Sequence, residues 1–95
     1  FNIIIGSGEE MDLLTTKGEQ IEIEGFVCMK HFDIDEDEKC KITLLENGHM
    51  ISQARSYSEA IKIARKKLSG SNAKKVIKEV ARLLKKNGFK YPINN

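Results

Sequence analysis

At Ser56 the hydrophobic period of the chain changes, and that change restricts the fold more than any motif does. Before it, apolar and polar residues alternate: Ile21 and Ile23 stand between Gln20, Glu22 and Glu24, the period of a half-buried strand. After it, Tyr57, Ala60, Ile61, Ala64 and Leu68 fall on one helical stripe, with Lys62, Arg65 and Lys66 off it. A second stripe follows at Ala73, Val76, Ile77, Val80 and Leu84, surrounded by Lys74, Lys75, Lys78, Arg82, Lys85 and Lys86. Strands first and helices last predict an α+β domain. Its expected architecture is an antiparallel sheet of three to four strands followed by two amphipathic helices packed on one face.

Local signals set the boundaries. Ser56-Tyr57-Ser58-Glu59 has the spacing of a capping box, in which the Ser hydroxyl and the Glu carboxylate each accept from a free backbone N–H. Residues 69–72, Ser-Gly-Ser-Asn, end the first helix and offer a cap to the second. Asn87-Gly88 stops the second, with cations in its last turn that suit the helix dipole. The Phe89-to-Ile93 segment then runs extended around Pro92. Upstream, Lys17-Gly18 marks a turn. After it, Gly25 lies where the apolar phase flips from Ile21 and Ile23 to Phe26, Cys28 and Phe32, which predicts one long strand over about 19–32, bent by a β-bulge. Residues 33–39 read as an acidic loop. Asn47-Gly48 then predicts a type I′ hairpin with Leu44 opposite Ile51 and Leu45 opposite Met50.

Ninety-five residues make one domain with one modest core. No apolar run approaches the roughly 18 residues of a membrane helix, and Ile3-Ile4-Ile5 is too short and lacks the basic flank of a signal peptide. Cys28 and Cys40 are the only cysteines, which fits reduced thiols in a cytoplasmic protein. Residues 1–10 read as an extended N-terminal segment, either an edge strand or a tethered or fused peptide, ahead of a single α+β domain over 11–95 that starts near Met11.

Charge divides the chain. Residues 1–50 carry four Lys/Arg against twelve Asp/Glu, a net −8, whereas residues 51–95 carry twelve against two, a net +10. Such asymmetry points to a charged partner or to strong contact between the halves.

The motifs of bound cofactors and metals are incomplete. Gly6-Ser7-Gly8 follows an apolar run, but the third glycine of a dinucleotide fingerprint is replaced by Met11, and Glu9 and Glu10 would repel a phosphate. Asp33, Asp35 and Asp37 match the first ligand positions of an EF-hand loop, but Glu38 and Leu44 stand where it needs Gly and Glu. Cys28, His31, Cys40 and His49 have no zinc-module spacing. No nucleophile-and-base arrangement is readable, and the expectation is a non-enzymatic protein without cofactor.

One stretch resembles a known family. Residues 40–68, CKITLLENGHMISQARSYSEAIKIARKKL, resemble the second half of a double-stranded RNA-binding domain, where a hairpin runs into a Ser-opened helix with small residues facing the sheet. Ser56, Glu59, Ala60, Ala64 and Leu68 match, over about a third of the chain. The family's paired lysines at the helix start are Tyr57 and Ser58 here, its glycines are Ala54 and Arg55, and its leading helix is missing. The stretch is similar also to the β-β-β-α DNA-binding domains of phage-type integrases.

Together these features predict a small nucleic-acid-binding or nucleic-acid-associated module, for duplex rather than single strand. Its phosphate contacts would be Arg55, Lys62, Arg65, Lys66, Lys74, Lys75, Lys78 and Arg82. The competing expectation is an interaction or regulatory module that adds a partner strand to a sheet edge or docks an acidic surface. A free edge would equally serve a homo-oligomer. No membrane association is expected.

Overall fold

The computed structural model describes residues 1–6, 10–32 and 39–94. Ser7-Gly8 of the opening motif and the acidic stretch with Asp33, Asp35 and Asp37 lie outside the described residues. The described residues form an α+β fold, with two antiparallel sheets and two helices. A two-stranded sheet joins β1 (Asn2–Ile5) to β2 (Asp12–Thr15). A four-stranded sheet in the order β3-β4-β5-β6 follows, from β3 (Glu19–Ile23), β4 (Phe26–Phe32), β5 (Cys40–Leu44) and β6 (Met50–Ala54). Helices α1 (Tyr57–Leu68) and α2 (Ala73–Lys86) complete the chain. No helix among the described residues is long and apolar enough to cross a membrane.

The expected long bent strand is instead a hairpin. Ile23 pairs with Phe26 and Ile21 with Cys28, so the two-residue turn Glu24-Gly25 separates β3 from β4. Both turn residues have positive φ, 50° and 80°, the geometry of a type I′ turn. The phase flip at Gly25 therefore comes from the chain reversing direction: across such a turn, i and i+3 face the same side.

Asn47-Gly48 departs from expectation in the opposite sense. Gly48 has φ +66°, and Asn47 is not among the positive-φ residues. Leu44 N–H donates to His49 O at 2.9 Å, and Gly48 N–H donates back to Leu44 O, which closes a four-residue loop over 45–48. Asn47 is buried, and its Oδ1 accepts from His49 N–H at 2.8 Å. Met50 thus lies opposite Thr43, and Ser52 lies opposite Ile42 after an irregularity. Leu44 does not face Ile51.

This register decides what meets α1. Cys28, Ile42, Leu44 and Ala54 share a buried core with Ala60, Ala64 and Leu68 of the helix. Alanine at 60 and 64 lets the helix backbone come close, and the Ser52 hydroxyl donates to Ala60 O at 2.7 Å. Ser56 caps α1 by accepting from Glu59 N–H at 3.2 Å, which is the serine half of the expected box. Ile77 of α2 packs on the same core. Further along, Val80 and Leu84 are buried, and Asn87 Nδ2 reaches Met11 Sδ at 3.9 Å. Asn72 precedes α2 without a side-chain cap. The expected stop is present: Gly88 N–H donates to Lys85 O and Phe89 N–H to Leu84 O, a Schellman motif with Gly88 at φ +86°.

The opposite sheet face is covered by the two ends of the described chain. His31 is buried there, 2.7 Å from Thr43 Oγ1 through Nε2, with the Phe1 ring edge-on at 5.2 Å. Ile4 N–H donates to Gly48 O, and Ile93 N–H donates to Glu46 O. Asn94 joins the ends: its Nδ2 donates to Asn2 O and to Leu45 O, both at 2.8 Å, and its Oδ1 accepts from Asn2 N–H at 2.7 Å. Gly48 lies at this junction, where a β-carbon would come within 2.6 Å of Ile93 Cδ1 and 2.8 Å of Asn2 O.

Two glycine variants separate conformational strain from crowding. Gly25→Ala places a methyl where nothing lies within 4 Å, so it costs only the positive-φ penalty, about 1 kcal/mol. Gly48→Ala bears that penalty and the overlap with β1 and Ile93, and should lose roughly 2 kcal/mol or more in denaturant unfolding. Equal losses would show that the junction contributes no crowding. At the β3–β4 turn, Glu24→Asn supplies a residue that accepts positive φ, and should raise the melting temperature by about 2–6 °C.

Candidate nucleic-acid interface

The helices hold seven of the eight expected phosphate-binding residues, because the stripes that bury Ala60, Ala64, Leu68, Val80 and Leu84 turn the intervening positions outward. Lys62, Arg65 and Lys66 are exposed on α1, three and four residues apart and so on one face. Lys74, Lys78 and Arg82 repeat that spacing on α2, with Lys75 beside them, all exposed. Arg55 is exposed in the link between β6 and α1. It stands at the opposite end of α1 from Arg65 and Lys66, roughly 15 Å away at the helical rise of 1.5 Å per residue. The fold therefore does not bring Arg55 to the other α1 cations.

It does bring the two helix ends together. The link 69–72 is tight, with Ser69 N–H donating to Arg65 O, Gly70 N–H to Lys67 O and Ala73 N–H to Gly70 O. The last turn of α1, with Arg65, Lys66 and Lys67, thus lies beside the first turn of α2, with Lys74 and Lys75 and no acidic residue. Both the cations and the amino end of α2, where backbone N–H groups carry partial positive charge, give this corner a positive potential.

Ion pairing leaves most of these charges available. Arg82 alone of the eight has a carboxylate partner among the described residues, donating through Nε to Glu79 Oε2 at 3.2 Å. That hydrogen bond holds the Glu79 carboxyl below its ordinary range and raises Arg82. Glu79 is the acid of the α2 surface, and it offsets part of the stripe.

The other chemistry-bearing side chains lie away from the basic surface. Cys28 and Cys40 are free and buried on the α1 side of the sheet, and burial pushes the Cys28 thiol up to about 11. His31 is on the far face, so the four residues of the Cys/His set are not gathered. No cluster of three metal-ligating groups occurs among the described residues. His49 is half-buried. Burial first, and then the charge of Lys67, push its imidazole below the usual range.

Lys67 and Val76 carry structural information that the helical pattern did not. Lys67 is drawn in to donate from Nζ to Ile51 O at 2.8 Å, and Val76, on the apolar stripe, is 46% exposed. Both line a cavity between β6 and α2. Period assigns a residue to a face but does not say how far along its length the face is covered. Comparison with protein-family models, curated proteins and solved structures finds no match to this chain.

Proposed function

We propose that this chain is a non-enzymatic nucleic-acid-binding module that holds the phosphates of a duplex on the exposed faces of α1 and α2. The observation that carries the reading is the set of outward cations without carboxylate partners among the described residues, Lys62, Arg65, Lys66, Lys74, Lys75 and Lys78, on the two helices and around their junction. Such cations displace the counterions condensed on nucleic acid, which makes binding favourable and salt-sensitive. Duplex is favoured over single strand because the basic faces carry no aromatic side chain on which unpaired bases could stack. The resemblance of residues 40–68 to double-stranded RNA-binding and integrase-type domains points the same way.

Fluorescence anisotropy with labelled DNA and RNA duplexes tests the reading. If about five phosphates are neutralised, raising salt from 50 to 200 mM should weaken binding by roughly 500-fold. The double variant Lys74→Glu, Lys78→Glu should flatten the salt slope by about two phosphate equivalents. Absence of binding to either duplex at low salt would end the proposal.

The ion pair offers a second check with the opposite sign. Glu79→Gln releases Arg82 and removes a charge that repels phosphate, so duplex affinity should rise. A variant that binds more weakly would place the contact surface elsewhere.

A further inference from the structure

We propose that the groove between the start of β6 and the first turns of α2 receives an extended peptide bearing aliphatic side chains and carboxylates. The groove is a cavity of about 310 Å³, at the lower end of the range for ligand sites. Ile51, Leu68 and Ile77 contribute apolar lining, and Met50 and Val76 are left 42% and 46% exposed. Large apolar side chains open in one concave place gain by being covered.

The sheet edge says what form the occupant takes. Among the described residues, β6 has β5 on one side and no strand on the other. Ile51 O, on this strand and in the groove, is held at 2.8 Å by the Lys67 ammonium. Here a side chain from α1 covers the edge, one of the ways edges are kept from pairing with other chains, and a flexible ammonium is displaceable. An incoming strand would offer a backbone N–H to Ile51 O, in the manner of strand addition. Lys67, released, would then stand beside the newcomer with its charge unpaired.

Charge selects the occupant's chemistry. Among the described residues, the cavity lining includes His49 and Lys67 and no acidic residue. Lys74 and Lys75 flank it on the first turn of α2, which has no acidic side chain and no side-chain cap. A peptide carboxylate therefore meets only positive potential, and a basic peptide is repelled. An aliphatic floor offers nothing to a sugar-phosphate backbone, which separates this surface from the outer helix faces proposed for duplex binding.

Panning a display library of random peptides on the whole folded chain, with Val76→Asp as counter-selection, tests the proposal. The expected result is enrichment of sequences that combine aliphatic residues with Asp or Glu. A synthetic peptide of the enriched sequence should shift the methyl signals of Met50, Ile51 and Val76. Its affinity should fall at least tenfold in Val76→Asp and stay within twofold in Lys62→Ala and Lys78→Ala. Lys67→Glu should redirect selection toward Lys- and Arg-containing peptides. Thermal melting confirms that each variant is folded, and all four substituted positions are exposed. The proposal is overturned if no sequence is enriched over the counter-selection, or if wild type selects basic peptides. It is overturned equally if the same methyls respond to duplex instead, or if they are covered by a second copy in a dimer that Val76→Asp dissolves. Loss of duplex binding in a Lys62→Glu, Lys78→Glu variant, whose positions neither line nor flank the groove, bears on the nucleic-acid reading alone.

Discussion

The absence of a side chain at Gly48 is the constraint on which the arrangement of this chain rests. Three segments distant in sequence converge there: the β5–β6 loop, β1 and the tail around Ile93. Main-chain groups approach so closely that the Gly48 carbonyl serves the Ile4 N–H while its α-carbon lies against Asn2 and Ile3. The positive φ of Gly48 and its crowding are separate demands, and glycine satisfies both. The four-residue loop, closed by its own bonds and with Asn47 turned inward, carries the β5–β6 register that brings Ser52 rather than Ile51 under α1.

How much of this could be read from the residues depends on whether a local or a distant cause decides. The switch at Ser56 was legible because burial period, serine cap and alanine spacing all agree on a helix against a sheet. The Asn87-Gly88 stop was legible for the same reason, since a Schellman ending uses only neighbouring atoms. Gly25 was ambiguous: a bulge and a two-residue reversal both put a glycine at a phase flip, and Glu24 at positive φ gives no sign of a type I′ turn. Asn47-Gly48 misled because the loop closes over four residues, with Asn47 buried and its side chain bonded to His49 rather than at positive φ. At the candidate interface, exposure of the lysines followed from the stripes. The convergence of the helix ends, the separation of Arg55 and the groove beside β6 required the packing itself.

The two surfaces divide the basic half of the chain by chemistry. Outward cations on α1 and α2 present charge with little apolar area, which suits a partner recognised by its phosphates. The groove presents apolar area with a positive surround, which suits a partner that brings both aliphatic groups and carboxylates. Lys67 belongs to the second although it lies one residue from Lys66 in the first, since successive helical residues are rotated by about 100°. On α1 the outward cations and the groove-facing Lys67 therefore point in different directions.

The Asn94 clamp also has a bearing on how the chain assembles. Its bonds to Asn2 span a separation of 92 residues. Closing a loop of that length costs about 4 kcal/mol in chain entropy, whereas the β3–β4 reversal joins immediate neighbours. The hairpins of the four-stranded sheet and the docking of α1 draw on short separations and can form while both ends of the described chain are still free. A clamp that closes on a surface already built would be the first part to reopen. Amide exchange would accordingly run fastest at Asn2 and Ile93 and slowest at Ile42 and Leu44, a gradient that follows the order of assembly in reverse.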